Sequence, residues 1–158
     1  MRFPPTEVLV RRMSSADLER ILEIAASLQQ APHWPAAAYV AAIDLENTPR
    51  RIALVVEDLT IGSVTGLAVA SVLPPEAELE TIAVAAEGQR RGLGSLLLES
   101  VAKELRSEKV SRLILEVRAS NHAALRFYRT QGFEETGRRP RYYADPEEDA
   151  VLMELRLG

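Results

Sequence analysis

The stretch Gln89–Gly94, QRRGLG, lies between an apolar strand pattern and an amphipathic helix pattern, and it indicates the fold more directly than any other segment. Two glycines in the first turn of a helix cost about 1 kcal/mol each relative to alanine, so close approach to the backbone is one reason to keep them. The first amides of a helix have no partner within the helix and carry the positive end of its dipole. The stretch therefore predicts an anion site, with the charges of Arg90 and Arg91 beside it.

Other interpretations of this turn can be compared with the anion site. A Walker loop ends in Gly-Lys-Ser/Thr, whereas Gly94-Ser95-Leu96 stands here. A Rossmann fingerprint requires GxGxxG after the first strand, and that spacing is absent. An ordinary helix start, whose glycines relieve crowding against a strand, also fits the turn. The turn by itself leaves this last alternative open.

Hydrophobic periodicity predicts the order of strands and helices. Strand patterns cover residues 6–12, 52–57, 63–73, 77–84, 112–118, 133–136 and 150–155, and helix patterns cover 18–28, 35–42, 90–105 and 121–130. Ser14, three residues before Asp17, predicts the cap of the first helix. Because strands outnumber helices and several follow one another directly, we predict an α/β fold with a mixed, mostly antiparallel sheet of six to seven strands and helices on both faces. No linker or repeat divides the chain, which predicts a single domain over residues 1–158.

Composition narrows the classes of protein. The chain has no cysteine, which excludes disulfides, thiolate metal sites and acyl-cysteine intermediates. Its two histidines, His33 and His122, are too few for a histidine-rich metal site, and we expect no metal. The net charge of −4 argues against a nucleic-acid partner and favours a cationic one. No apolar run approaches the roughly 20 residues of a membrane span, and the N-terminal residues do not resemble a signal peptide, so we expect a cytoplasmic protein without a membrane partner.

The turn also resembles the Q/R-x-x-G-x-G/A motif of the GNAT superfamily of N-acetyltransferases. Further segments resemble the bacterial ribosomal-protein-alanine N-acetyltransferases of that superfamily, namely LEVRASN at 115–121, Phe127-Tyr128, Gly132-Phe133, RYYAD at 141–145 and EDA at 148–150. The resemblance implies the GNAT fold, acetyl-CoA as co-substrate, and transfer of the acetyl group to a primary amine. It favours the N-terminal α-amine of a protein, such as a ribosomal protein. A small-molecule amine acetyltransferase and a non-catalytic acyl-CoA sensor are the alternatives, and the sequence leaves the oligomeric state open.

The resemblance also implies which residues hold the co-substrate. The pyrophosphate would be bound at Gln89, Arg90, Arg91, Gly92, Leu93, Gly94 and Ser95. Ile82, Ala83 and Val84 match the segment that pairs with the pantetheine arm, and the amide of Val84 would donate to the oxyanion. Asn121 would hydrogen-bond the same arm, although an asparagine at a helix start is also an ordinary cap. The chain departs from the family at 85–88, where a proline and a bulky residue are common, and at Pro146-Glu147.

Two side chains match the acid and the base of the family. Glu116 lies in the apolar run 113–117, where a carboxylate is costly unless it is paired or protonated. A salt bridge is one explanation, and the resemblance implies a general base, with Glu80 as an alternative base. Tyr128 resembles the general acid that protonates the coenzyme A sulfur, although a lone helical tyrosine is commonly a core aromatic.

An aromatic and acidic loop follows near the C-terminus. Tyr142 and Tyr143 precede four acidic residues, which are Asp145, Glu147, Glu148 and Asp149. We expect the two tyrosines, with Glu80, to line the acceptor side and the acidic residues to attract a cationic amine. A solvated turn is the alternative for the acidic residues.

Overall fold

The structure, a computed structural model, describes residues 7–28, 34–89 and 91–158. Residue 6 of the first predicted strand, His33 and Arg90 lie outside these residues. Within the described ranges, the strands are β1 (Val8–Arg12), β2 (Arg51–Asp58), β3 (Ser63–Leu73), β4 (Glu76–Val84), β5 (Arg112–Arg118), β6 (Glu134–Tyr143) and β7 (Glu148–Arg156). The helices described there are α1 (Leu18–Ser27), α2 (Ala36–Ile43), α3 (Leu93–Ser107) and α4 (His122–Thr130). The element order agrees with the periodicity of the sequence.

The seven described strands form one sheet in the order β1-β2-β3-β4-β5-β7-β6. Neighbouring strands are antiparallel except for β4 and β5, which are parallel. The predicted mixed, mostly antiparallel sheet is therefore confirmed. A parallel pair needs a long crossover, and α3 supplies it between β4 and β5.

Helices cover both faces of the sheet, as predicted. Strand β2 shows why, because its side chains alternate between two cores: Ile52, Leu54 and Val56 belong to the core under α3, and Ala53 and Val55 belong to the core under α1 and α2. Burial on both faces explains the uninterrupted apolar run of this strand.

The cap predicted at Ser14 is present, but it belongs to the short turn that precedes the first helix, and Asp17 is the N-cap of α1 itself. The Ser14 amide donates to the Asp17 carboxylate at 2.8 Å, and the Arg11 guanidinium holds that carboxylate at 2.9 Å. These bonds and the neighbouring charge lower the pKa of Asp17, the Arg11 hydrogen bond most of all. A short 3-10 turn, Ser15–Asp17, leads into α1.

Two predicted boundaries differ from the structure by three residues or more, for identifiable reasons. The third helix begins at Leu93 and not at residue 90, because Gly92 has φ +76° and so stands outside the helix as its N-cap. The sixth strand continues to Tyr143 and does not stop at 136. The strand continues past Gly137 and Pro140 because β6 is an edge strand, where a missing amide donor costs no ladder bond on the open side.

Strands β4 and β5 separate soon after they begin. They pair only over Glu76–Glu78 and Arg112–Ile114 within the described residues. The register between β3 and β4 also shifts at Glu80, because Val69 faces Thr81 whereas Ala70 faces Leu79. This extra residue is a β-bulge, which bends a strand and re-aims its side chains. The separation opens a cleft in the middle of the sheet.

Candidate active site

The cleft between β4 and β5 has a volume of about 740 Å³. Its walls are the second half of β4, the second half of β5 and the start of α4, and Tyr143 closes one side. Nine residues singled out from the sequence line it: Glu80, Ile82, Ala83, Val84, Gln89, Glu116, Asn121, Tyr128 and Tyr143. Residues from four separate segments of the chain therefore meet in one concave site, and concavity is typical of ligand sites.

The β4 wall presents backbone groups to the cleft. The amide of Ala85 donates to the Thr65 carbonyl on β3 at 2.8 Å. Because successive amides of a strand point to opposite sides, the amides of Ile82 and Val84 face away from β3, toward the side that β5 has left. The Val84 carbonyl accepts from Gln89 Nε2 at 3.0 Å, which agrees with that orientation. The wall therefore has amide donors available to an extended ligand.

The N-terminus of α3 lies at one end of this wall. The first helical bond runs from the Leu96 amide to the Gly92 carbonyl at 3.1 Å, so the amides of Leu93, Gly94 and Ser95 have no helical partner. Within the described part of the chain, no side chain caps this helix. These amides and the helix dipole can therefore bind a diphosphate.

The two glycines of the turn have different structural reasons. Gly92 has a left-handed φ of +76°, a conformation that residues with a Cβ rarely adopt. Space is not the reason, because a Cβ there would meet nothing within 4 Å. At Gly94, a Cβ would lie 3.2 Å from the ring of Phe127 on α4. Crowding does explain one glycine, as the alternative interpretation holds, but the crowding comes from a helix and not from a strand. The free amides are a separate property of the same turn.

Gly92→Ala is expected to weaken acetyl-CoA binding and to destabilise the fold by about 1 kcal/mol, because the left-handed conformation is strained for alanine. Gly62→Ala is the matched control, since Gly62 has φ +65° and equally open surroundings in the β2–β3 turn. Thermal denaturation should show similar losses for the two variants. Calorimetric titration should show weaker binding for Gly92→Ala alone, and equal affinities would contradict a role for this turn.

Arg91 is held by an ion pair. Its Nη2 lies 2.9 Å from Asp58 Oδ2, and the two side chains are 13% and 3% exposed. The Arg91 charge that the sequence places beside the anion site is thus compensated in part by a carboxylate at the end of β2. Hydrogen bonds and the guanidinium charge keep the pKa of Asp58 low despite its burial. Nothing in the sequence near Asp58 points to this contact.

Ser95 and Asn121 have local partners besides any ligand. The Ser95 hydroxyl accepts from Gln131 Nε2 at 2.8 Å, which ties the start of α3 to the end of α4. The Asn121 side-chain oxygen accepts from the Ala124 amide at 3.2 Å and so caps α4. Asn121 also lines the cleft, so its side-chain amide group can donate there.

Glu116 reaches the cleft from β5. Its Oε1 lies 3.4 Å from Nε of Arg139, and the carboxylate is 20% exposed. A hydrogen bond to Glu116 raises the pKa of the Tyr142 phenol. Glu116 is therefore ion-paired, as one sequence interpretation holds, and also open to the cleft, as a base must be.

Two more carboxylates stand on the facing strand. The Glu80 carboxylate accepts hydrogen bonds from Arg51 Nε at 2.7 Å and from Arg51 Nη2 at 3.3 Å. Glu78 was not singled out from the sequence, although it repeats Glu76 and Glu80 at strand spacing. Desolvation, and then the charges of Glu116 and Glu80, raise the pKa of Glu78.

Tyr128 contributes a phenol to the opposite side of the cleft. Its ring packs edge-on against Phe133, with centroids 5.4 Å apart. Burial, with a smaller contribution from Tyr143, raises the pKa of Tyr128 to about 12. The phenol therefore keeps its proton at neutral pH and can donate it.

Tyr142 and Tyr143 form an aromatic pair at the cleft mouth. Their rings meet edge-to-face, with centroids 5.1 Å apart. The guanidinium of Arg118 lies 4.4 Å from the Tyr143 ring centroid. Tyr143 lines the cleft, whereas Tyr142 stands 49% exposed above it.

Three of the four acidic residues that follow the two tyrosines contact other residues of the chain. Glu148 pairs with Arg118 at 3.1 Å and accepts from the Ser120 amide at 2.9 Å. Asp149 accepts from the amide of Arg141 at 3.0 Å, and Glu147 lies 3.4 Å from the same arginine. These contacts favour a structural role for the loop carboxylates over direct attraction of a cationic amine.

The GNAT acetyltransferase family matches residues 17–133 of the chain. This protein therefore belongs to the GNAT family and is an acyltransferase of the N-acetyltransferase class.

Its relatives include proteins named for ribosomal substrates. It is 45% identical over 99 residues to ribosomal protein bS18-alanine N-acetyltransferase of Escherichia coli K12, covering 61% of this chain and 67% of the relative. It is 31% identical over 153 residues to the putative enzyme of that name from Bacillus subtilis, covering 97% and 98%. The crystal structure of the ribosomal-protein-S18-alanine N-acetyltransferase from Escherichia coli superposes with TM-score 0.80 and 32% identity, covering 96% of this chain and 94% of that one.

Among the described residues, no helix has the length and apolar character needed to cross a membrane.

Proposed function

We propose that this chain transfers the acetyl group of acetyl-CoA to the N-terminal α-amine of a protein, with a ribosomal protein as the leading substrate class and residues 1–158 as one catalytic domain. The observation that carries the proposal is the placing of a carboxylate, Glu116, and a protonated phenol, Tyr128, in one cleft beside a wall of backbone donors. The relatives named for ribosomal protein bS18 support the choice of acceptor.

The co-substrate would be held by backbone more than by side chains. Amides of Leu93, Gly94 and Ser95 are suited to the pyrophosphate. The edge of β4 from Ile82 to Val84 is suited to the amides of the pantetheine arm, since an extended chain can add to an open strand edge. The Val84 amide then lies where it can donate to the thioester oxygen as negative charge develops there.

The amine must lose a proton before it attacks. An α-ammonium group has a pKa near 8, against about 10.4 for lysine, so an N-terminus demands less of a base at neutral pH. Glu116 accepts the proton, directly or through one water, and the neutral amine attacks the thioester carbon. Glu80 is a weaker candidate for this role, because its carboxylate already receives two bonds from Arg51.

The tetrahedral intermediate collapses by breaking the bond between carbon and sulfur. Tyr128 gives its proton to the departing thiolate, and the nitrogen of the new amide loses its extra proton, which returns through water to the Tyr128 phenolate. The products are the acetylated amine and coenzyme A. Tyr142 and Tyr143 lie at the cleft mouth, where they can pack against the first residues of an incoming polypeptide.

A panel of acceptors tests the substrate class. The protein is incubated with isotopically labelled acetyl-CoA and with peptides that begin with alanine, the same peptides blocked at the N-terminus, lysine-containing blocked peptides, and free small amines. Mass spectrometry should find label on the free N-termini. Label on small amines alone would contradict the protein acceptor, and binding of acetyl-CoA without transfer to any acceptor would favour a sensor.

A further inference from the structure

Arg139 on β6 contacts Glu116 on β5, although these two strands are not neighbours in the sheet. In the sheet, β7 lies between β5 and β6. Glu116 pairs with Leu152 of β7, and Arg139 pairs with Ala150. The arginine side chain must therefore extend across β7 to bring its Nε within 3.4 Å of Glu116 Oε1. Its guanidinium also lies 5.5 Å from the ring centroid of Tyr142.

Negative charge faces Glu116 from β4. Glu80 is compensated by Arg51, but Glu78 has no ion-pair partner among the described residues. The charge of Glu116 acts on Glu78 to raise its pKa, and the charge of Arg139 acts on it in the opposite direction. Glu78 pairs with Ile114, two residues before Glu116 on the same face of β5, so the two carboxylates are diagonal neighbours on adjacent strands. They are therefore electrostatically coupled, and Arg139 stands close enough to influence both.

The other groups around Glu116 do not supply a compensating charge. Tyr142 and Tyr143 from β6 and Tyr128 from α4 are neutral phenols with raised pKa values. Arg118 on β5 is paired with Glu148 at 3.1 Å. Across the described ranges of the chain, Arg139 is therefore the cation in ion-pair contact with Glu116.

Building on the role proposed above for Glu116, we propose that Arg139 is a positioning residue of the reaction, whose guanidinium keeps Glu116 in its charged, proton-accepting form beside Glu78. Two neighbouring carboxylates tend to retain a proton, because both cannot ionise without repulsion. A neighbouring guanidinium opposes that tendency. Since the Arg139 side chain is 57% exposed, it can move aside when the ammonium group of the acceptor approaches Glu116.

The pH dependence of kcat/KM, measured with an alanine-terminated peptide, tests this proposal. In Arg139→Gln, the acidic limb should move to higher pH by about 0.5 to 1 unit, a modest shift because the arginine is partly solvated. The plateau rate should be largely retained. Adding Glu78→Gln to Arg139→Gln should return the limb toward the wild-type position, because the repulsion that Arg139 offsets is then gone.

Arg138→Gln is the matched control. Arg138 lies on the same strand, is 49% exposed, and contacts Glu135 and not Glu116. Its removal should leave the acidic limb in place. A limb that moves equally in both variants would show a general charge effect and would overturn the role of Arg139.

Carbon-13 NMR of labelled glutamate carboxyls gives a readout independent of turnover. The Glu116 signal is assigned by its loss in Glu116→Gln, and its titration midpoint should rise in Arg139→Gln by the same amount as the kinetic limb. If Glu116→Gln removes the limb but Arg139→Gln leaves both limb and midpoint unchanged, the inference fails while the proposed base stands. If Glu116→Gln leaves the limb intact, the proposed function itself is wrong about the base.

Discussion

Replacing Glu116 with glutamine is expected to lower kcat/KM for the acceptor about 100- to 10,000-fold on the neutral plateau, the range that general bases contribute. Glutamine keeps the size of the side chain and its ability to accept a hydrogen bond, but it cannot take a proton from the ammonium group. The loss should be greatest where the wild-type carboxylate is ionised, so the acidic limb of the pH–rate profile should flatten. Steady-state kinetics across a pH series measures both effects.

Glu80→Gln is the comparison that separates the two candidate bases. Glu80 faces the same cleft, but Arg51 holds its carboxylate. We expect a smaller kinetic loss than for Glu116→Gln, together with some loss of stability, because the change leaves Arg51 without its charged partner. If Glu80→Gln abolishes the acidic limb and Glu116→Gln does not, the two assignments must be exchanged.

Replacing Tyr128 with phenylalanine is expected to lower kcat about 100- to 1,000-fold with little change in acetyl-CoA affinity, because the ring is kept and only the proton donor is lost. Since burial raises the pKa of Tyr128 to about 12, the phenol is protonated throughout an ordinary assay range. The ratio of wild-type to variant rates should therefore be nearly constant with pH up to about 9.

Tyr39→Phe is the matched control for Tyr128→Phe. Tyr39 is fully buried in the core under α1 and α2 and does not line the cleft. Removing its hydroxyl should leave kcat unchanged, because that hydroxyl is not part of the cleft lining. If Tyr128→Phe retains full turnover, another group protonates the thiolate and Tyr128 serves only in packing against Phe133.

The sequence was most informative where local periodicity determines structure. The third and fifth strands, over 63–73 and 112–118, have the predicted bounds, because their apolar runs end at Pro74 and at the turn before α4. The start of α3 was wrong by a few residues, since the left-handed conformation of Gly92 depends on how the turn closes. The predicted sixth strand was too short. Pro140 is tolerated there because β6 lies at the edge of the sheet, and that position is a tertiary property.

The sequence predicted several of the residues that meet in the cleft, but it did not predict their ion pairs. Glu116 and Tyr128 were identified through resemblance to the GNAT family, and the structure places them in one cleft. The contacts of Glu116 with Arg139 and of Arg91 with Asp58 join distant segments, and neither residue of each pair carries a local signal for its partner. Glu78 was overlooked because an acidic residue on a half-exposed strand is ordinary until its neighbours are known.

Calorimetric titration of acetyl-CoA into the folded protein tests most directly whether the α3 amides and the open edge of β4 form a binding site for the thioester. A single saturable site is expected, with desulfo-CoA, which lacks the reacting sulfur, competing for it because it retains the diphosphate and the pantetheine amides. Absence of heat at several temperatures, in protein whose circular dichroism shows it to be folded, would contradict the proposed site and the chemistry built on it.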